Sequence, residues 1–175
     1  NSVDYMLLKA ITGGKAEFST LDDECQIKYF PDLDYQFAFV NDKGKMLKKL
    51  KSEFPDESQK IDLYFKYLDI LEKKSGMFSL PKRFPPAIAR IMFGFSKAFK
   101  MLPHMDKSVT EVVDHVLKIE NKKLRAIFLS FSHYFGIPLD ETPFPFYAYA
   151  QNMQFNGMFY PDGGGEALVE ALMGT

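Results

Sequence analysis

The stretch QIKYFPDLDYQFAFV, residues 26–40, decides the fold class of this 175-residue chain. Its two ends, residues 26–30 and 35–40, are rich in aromatic and β-branched residues, and apolar and polar residues partly alternate along them. The two ends flank a Pro-Asp-Leu-Asp turn. This pattern predicts a β-hairpin. Because a lone hairpin is only marginally stable in water, its strands need further partners. No later segment offers a convincing strand, so we expect one small antiparallel sheet near the N-terminus.

Most of the remaining chain has the spacing of amphipathic helices. Apolar residues recur at this spacing in six segments, residues 46–54, 61–71, 88–102, 112–117, 124–135 and 146–153. Asp56 with Gln59 predicts an N-cap, and Ser108 with Glu111 predicts a capping box. Gly136 is expected to end its helix. Together these features predict a single unit over residues 1–175 with an α+β fold that is predominantly helical.

The composition narrows the class of protein. A formal net charge of −1 gives no general attraction to nucleic acid, so we expect no nucleic-acid partner. The single cysteine, Cys25, excludes an internal disulfide framework and fits a reducing compartment, which predicts a cytoplasmic location. Eighteen Phe, nine Tyr and nine Met indicate a large core or an apolar binding surface.

The sequence contains no complete catalytic constellation. His104, His115 and His133 lack the spacing of metal ligands, so no metal site is predicted. No GxGxxG motif opens a βαβ unit, and no P-loop is present. We therefore assign no catalytic residue.

Residues 82–102 form a basic segment that has no acidic residue. Five cations accompany an Ile, Met and Phe face, which is typical of a helix that lies in a membrane interface. Arg90 and Lys97 interrupt it too strongly for a membrane span. The segment predicts peripheral membrane contact, and an ordinary core helix with a basic solvent face is the alternative.

The segment FYPDGGG, residues 159–165, precedes a short C-terminal helix. Three glycines permit a left-handed backbone and close approach. They suit either an anion at the helix N-terminus or packing against a flat aromatic system. Because so short a helix is not stable alone, we expect it to pack on a core or to belong to a longer chain; the start without Met also fits the second expectation.

Residues 159–165, followed by Leu168 and Leu172, resemble the Tyr-Pro-X-Gly-Gly segment of phytoene desaturases, carotenoid isomerases and retinol saturases. Three upstream stretches, residues 50–64, 108–113 and 134–138, are similar to that family in their order. The resemblance covers about residues 8–173. Gly165 stands where members often have Ser or Thr.

This resemblance implies an amine-oxidase-like, FAD-dependent oxidoreductase or isomerase that acts on carotenoid- or retinoid-type polyene isoprenoids. Such enzymes hold FAD with terminal segments that this sequence lacks, so the chain resembles an internal substrate-binding or lid portion of a two-domain flavoenzyme, inactive alone. The resemblance places Tyr160, Pro161, Gly163 and Gly164 near the flavin. The helix just before this motif then supplies the expected substrate-pocket residues, with plain core packing as the alternative for each: Phe144, Phe146, Tyr147, Tyr149 and Met153.

Two further expectations come from the residues alone. The aromatic load and the basic segment also fit a stand-alone helical module that binds lipid or protein without catalysis. The hairpin carries Tyr29, Phe30, Phe37 and Phe39, and exposed apolar edge strands tend to pair with another chain. The hairpin edge therefore predicts self-association.

Overall fold

The computed structural model describes residues 3–22, 24, 26–74, 103–132, 136–155 and 158–174. Helices predominate in these ranges and small antiparallel sheets accompany them, which confirms the mostly helical α+β fold. The predicted interfacial helix over residues 82–102 lies outside the described residues.

The described residues form seven α-helices and four strands. The helices are α1 Val3–Ile11, α2 Lys43–Glu53, α3 Ser58–Lys73, α4 Val109–Glu111, α5 Lys122–Leu129, α6 Phe144–Gln154 and α7 Gly164–Met173. The strands are β1 Phe18–Thr20, β2 Gln26–Phe30, β3 Tyr35–Phe39 and β4 Phe159–Pro161. Short 3-10 turns cover Pro31–Leu33 and Pro55–Glu57, and a π-helix over Val112–Val116 continues α4.

The predicted hairpin is confirmed as β2 and β3, but a second sheet was missed. In it β1 pairs antiparallel with β4, with Ser19 opposite Tyr160 and Thr20 opposite Phe159. The prediction that no later segment forms a strand is therefore wrong. Strands of three residues are too short to show alternation, and this pairing joins segments from opposite ends of the chain.

The chain divides into two compact units that are interleaved along the sequence. We call residues 1–29, 36–46 and 153–175 the terminal unit, and residues 30–35 and 47–152 the central unit. The expectation that residues 1–175 act as one unit of a larger flavoenzyme stays a prediction.

The core of the central unit is built largely on α3, whose inward face is apolar and fully buried. The ring of Tyr64 stacks on Phe128 of α5 with centroids 4.2 Å apart and meets Phe144 of α6 edge-on at 6.1 Å. Each such buried aromatic side chain contributes roughly 1.5–3 kcal/mol by leaving water. This contact set joins three helices that are far apart in sequence.

Helix α3 begins differently from the prediction. Asp56 lies inside the 3-10 turn, and the helix begins at Ser58 with no side-chain cap. The N-cap prediction at Asp56 is wrong because Pro55 starts a separate turn. The residue at the junction, Glu57, directs its carboxylate to the backbone amides of Glu120 and Asn121 instead.

The predicted capping box at Ser108 is confirmed. The amide of Glu111 donates to the Ser108 hydroxyl at 3.2 Å, and the amide of Ser108 donates to the Glu111 carboxylate at 2.7 Å. The following residues wind into a π-helix, in which the amide of Leu117 reaches the carbonyl of Val112 at 2.8 Å.

Helix α5 ends at Leu129, earlier than Gly136, so that boundary prediction is wrong. The amide of Phe131 donates to the Tyr147 hydroxyl at 3.1 Å and does not continue the helical ladder. The Ser130 hydroxyl donates back to the carbonyl of Ile127 at 2.8 Å. The Phe131 amide is therefore bonded to a side chain of another segment, in place of the helical hydrogen bond that the apolar spacing predicted.

The terminal unit packs α1 on the β1–β4 sheet. The Tyr5 ring lies 5.5 Å from Phe18 and 5.0 Å from Phe159, and Lys15 donates to the carbonyl of Gly174 beyond α7. Its buried apolar side chains are few and several are small: Ala16, Phe37, Phe39, Val40, Met46 and Ala171.

The aromatic and aliphatic side chains of the hairpin differ in their exposure to solvent. Phe37 and Phe39 are 2% and 4% exposed, so these two side chains belong to the core, and self-association through the hairpin edge stays a prediction. Ile27 and Tyr29 lie on the opposite face of β2 and are more than half exposed. Among the described residues, no helix has the length and apolar character needed to cross a membrane.

Candidate functional site

The glycine segment forms a strand-to-helix turn in the terminal unit. The amide of Asp162 donates to the carbonyl of Glu17 at 2.9 Å, and Ser19 donates to the Asp162 carboxylate at 2.6 Å. Gly163 and Gly164 then adopt φ values of +82° and +75° at the start of α7. Because side chains rarely adopt this left-handed region, both positions favour glycine on backbone grounds alone.

The space beside each glycine shows what the turn can approach. A Cβ on Gly163 would lie 2.8 Å from the Cβ of Ala167, so its own helix already fills that side. A Cβ on Gly164 would lie 3.6 Å from the Tyr160 hydroxyl, and one on Gly165 would meet nothing within 4 Å. These residues do not form a cradle that encloses FAD.

The two remaining flavin-site candidates belong to β4. Tyr160 is 56% exposed, and Pro161 is paired with Phe18 of β1. With Gly164 and Gly165, the Tyr160 side chain forms an open face at the helix start. This face can pack against a flat group that other segments hold.

The five predicted substrate residues do not share one surface. Phe144 and Tyr147 are fully buried in the core of the central unit. Phe146 and Tyr149 lie on the other side of α6, 50% and 37% exposed. Met153 is 45% exposed and belongs to the terminal unit. Alternating positions of a helix point away from each other, so one helix could not aim all five inward.

Buried hydrogen bonds hold α6 in place. The Tyr147 hydroxyl donates to the carbonyl of Phe128 at 2.6 Å, while it accepts from the amide of Phe131. Tyr64 donates to the side-chain carbonyl of Gln151. Burial raises the pKa of both tyrosines, so both phenols stay protonated as donors.

The next residue of α6 adds a further anchor. The Asn152 amide nitrogen donates to the carbonyl of Leu68 at 2.9 Å and to the Glu72 carboxylate at 3.2 Å. Asn152 is 3% exposed, so these bonds form away from water. Helix α6 is therefore a rigid support for the side chains on its outward face.

Glu57 is a buried carboxylate that the sequence analysis missed. Its Oε1 accepts from the amides of Glu120 and Asn121 at 2.9 and 3.0 Å, and its Oε2 lies 2.8 Å from the Lys60 ammonium. Burial opposes ionisation, but the Lys60 ammonium and the two amides outweigh it and lower the pKa of Glu57. These bonds give Glu57 a structural role. The sequence analysis did not find this role because Asp56 and Gln59 indicated a helix N-cap at the same place.

Lys28 on β2 was also missed. Burial lowers the pKa of this amine to about 8, and its Nζ lies 5.1 Å from the centre of the Phe39 ring. The alternation of side chains along β2 could have indicated this partial burial, because Lys28 lies on the same inward face as Gln26 and Phe30.

His104 lies in an aromatic cluster of the central unit. Its ring meets Tyr67 edge-on at 4.8 Å and Phe144 at 6.2 Å. Burial, with a smaller effect from Lys107, lowers the pKa of His104, although Asp106 acts in the opposite direction. The histidine therefore favours its neutral form near neutral pH.

A surface cavity of about 250 Å³ lies beside the capping box. It is lined by Met105, Asp106, Lys107, Ser108, Glu111, Asp140, Glu141 and Pro143. Glu111 already serves the capping box. Among the described residues, no group of three or more His, Cys, Asp or Glu side chains could hold a metal ion.

Comparisons with protein-family models, with curated proteins and with solved structures find no match to this chain.

Proposed function

We propose that this chain is the substrate-binding region of a flavin-dependent oxidoreductase or isomerase that acts on polyene isoprenoids of carotenoid or retinoid type. The observation that carries the proposal is the outward face of α6, where Phe146 and Tyr149 are exposed on a helix fixed by buried hydrogen bonds. Aromatic side chains on a rigid support suit a flat, conjugated hydrocarbon.

The chain's own residues would bind and orient the hydrocarbon and keep water from it. FAD, when bound by other segments of the parent protein, would supply the electron-transfer chemistry. Tyr160, Gly164 and Gly165 offer only an open packing face toward such a group. We therefore expect the purified 175-residue chain to retain no stoichiometric FAD after extensive dialysis, and a yellow protein with a flavin spectrum would contradict the proposal.

Binding of a polyene tests the proposal directly. Because the chain has nine Tyr and no Trp, all-trans-retinol should quench tyrosine fluorescence as it binds. Replacing both Phe146 and Tyr149 with Ser should weaken retinol binding several-fold. Ile137→Ser is the matched control, because Ile137 is also about half exposed in the central unit but lies outside α6. Equal binding by the double variant and the wild type would reject α6 as the substrate surface.

The second candidate function is a stand-alone helical module that binds lipid or protein without catalysis. The terminal unit favours it, since it carries eleven of the fourteen exposed large hydrophobic residues among the described residues. The reading frame around these residues discriminates the two candidates: an upstream GxGxxG within a βαβ unit supports the flavoenzyme. If residues 82–102 make peripheral membrane contact, liposome binding should fall with rising salt, and the double variant Arg90→Glu with Lys97→Glu should weaken it.

A further inference from the structure

The outward face of α6 carries two exposed aromatic side chains of the central unit. Phe146 is 50% exposed and Tyr149 is 37% exposed. Helix α6 has no charged residue, so a partner of this face has to match an apolar surface and not a charge. The buried hydrogen bonds on the other side of the helix keep both rings on one fixed surface. An exposed apolar surface of this kind indicates an interaction site.

The described residues stop beside one end of α6 and resume beside its other end. Two residues before they stop, the Glu72 carboxylate accepts from the Asn152 side chain, near the end of α6, at 3.2 Å. Just after they resume, the His104 ring lies 6.2 Å from the ring of Phe144, the first residue of α6. The intervening residues 75–102 therefore connect the two ends of α6.

The length of this connection suits α6. Helix α6 has 11 residues and is about 16 Å long at 1.5 Å per residue. The apolar spacing over residues 88–102 predicts a helix of about 22 Å, which is long enough to cover α6. The preceding residues 75–87 can reach about 40 Å when extended, so they can return the chain to the end of α6. Because residues 88–102 end beside the first turn of α6, the predicted helix runs antiparallel to it.

The predicted helix over residues 88–102 has an apolar side and a basic side. Its apolar residues recur at helical spacing on one side: Ile88, Ile91, Met92, Phe95, Phe99 and Leu102. By the same spacing, Arg90, Lys97 and Lys100 fall on the opposite side. Packing the apolar side on α6 leaves these three cations in water, as on an ordinary surface helix.

We propose that the outward face of α6 is the docking surface for residues 88–102 of the same chain, which pack on it as an antiparallel amphipathic helix. The antiparallel arrangement places Phe99 opposite Phe146, and Phe95 opposite Tyr149. Aromatic pairs of this kind stabilise a helix contact beyond the area that they bury. The inference goes beyond the proposed function, since the docking needs no polyene. A polyene on this face lies between α6 and residues 88–102.

The course of the chain favours this occupant over a membrane surface. Both ends of the segment are held near α6, which gives it an effective concentration at that face in roughly the millimolar range. An interfacial helix would leave Phe146 and Tyr149 exposed, whereas docking removes apolar surface of both helices from water. The apolar side of residues 88–102 cannot contact α6 and lipid at once, so the two occupants exclude each other.

Paired cysteines test the docking on the 175-residue chain without any polyene. In a Cys25→Ser background, Phe95→Cys with Tyr149→Cys should form an intramolecular disulfide on mild oxidation, because the docked helix brings the two positions together. Lys97→Cys with Tyr149→Cys is the matched control and should form none, since Lys97 lies on the basic side. Peptide mass mapping of the monomer identifies the bond. Equal cross-linking of the two pairs, or of neither, overturns the proposal.

Truncated side chains give a second measurement that needs no cysteine. Phe99→Ala and Phe146→Ala should each lower the urea midpoint, and together they should lower it by less than the sum, because both remove the same contact. Ile137→Ala is the control, since Ile137 is exposed outside α6 and its effect should add to that of Phe99→Ala. Far-UV circular dichroism checks that each variant folds. Additive effects of Phe99→Ala and Phe146→Ala reject the docking. A Phe95→Cys thiol that maleimide labels in buffer and that anionic vesicles protect also rejects it, in favour of the membrane.

Discussion

Glu57 shows how one buried charge can hold two distant segments together. Glu57 is 6% exposed, and its carboxylate accepts from two backbone amides that precede α5. The Lys60 ammonium pairs with this carboxylate and also donates to the carbonyl of Lys118 at 2.5 Å. Lys118 has a positive φ of 54°, so the chain turns sharply at this point. The Glu57 side chain therefore stabilises a connection that the local sequence does not favour.

Glu57→Gln should lower the free energy of unfolding by about 1–3 kcal/mol at pH 7, because a charged acceptor of two amides is lost in a buried site. The effect should depend on pH. The folded-state pKa of Glu57 lies below its ordinary value of 4.5, so the unfolded chain binds the extra proton. The stabilisation is thus present above about pH 4.5 and is lost as the pH falls through the folded pKa.

Urea unfolding at pH 7 and at pH 3 measures this difference. The gap between wild type and Glu57→Gln should be large at pH 7 and small at pH 3. Glu141→Gln is the control, because Glu141 is exposed and should change stability little at either pH. A gap that is the same at both pH values would show that the Glu57 charge does not stabilise the fold.

Tyr147 has a buried hydroxyl that bonds to the backbone at the end of α5. Tyr147→Phe removes the group that accepts from Phe131 and donates to Phe128, and it leaves both backbone groups buried without that partner. We expect a loss of about 1–3 kcal/mol in thermal or urea unfolding. Tyr149→Phe, on the exposed face of the same helix, should cost much less. Equal effects of the two variants would contradict this role.

Among the helices and strands, those with a longer periodic pattern of apolar residues were predicted from the sequence, and the shortest strands were not. The apolar face of α3 and the hairpin strands are long enough for periodicity to predict them, and the structure confirms both. The strands β1 and β4 have three residues each and exist because they pair across the chain. The candidate site residues were predicted from a motif and from their position on α6. Residues two positions apart on a helix face different sides, so Phe144 is buried whereas Phe146 is exposed. The helical periodicity could have indicated this difference.

Helix starts offer a direct comparison between a side-chain cap and a backbone-only start. Ser108 caps α4 with both bonds of the capping box, whereas Ser58 begins α3 without a side-chain cap. Ser108→Ala should therefore lower stability by about 1 kcal/mol, and Ser58→Ala should change it little. Urea midpoints of the two variants measure the contrast, and a larger loss for Ser58→Ala would refute the assignment of the caps.

At the scale of the whole molecule, buried and exposed apolar residues are divided unevenly. Of the twenty-five buried hydrophobic residues among those described, nineteen lie in the central unit, whereas most exposed ones lie in the terminal unit. Because stability follows buried apolar area, the central unit should resist local opening more than the terminal unit. The sequence could not predict this division, since the terminal unit is assembled from three separated segments.

Hydrogen exchange measured by mass spectrometry tests that division. Amides of α3, α5 and α6 should exchange slowest, because their inward faces carry the central core. Amides of α1 and α7 should exchange faster, because few buried apolar side chains hold these two helices. Uniform exchange across the two units would contradict the uneven stability.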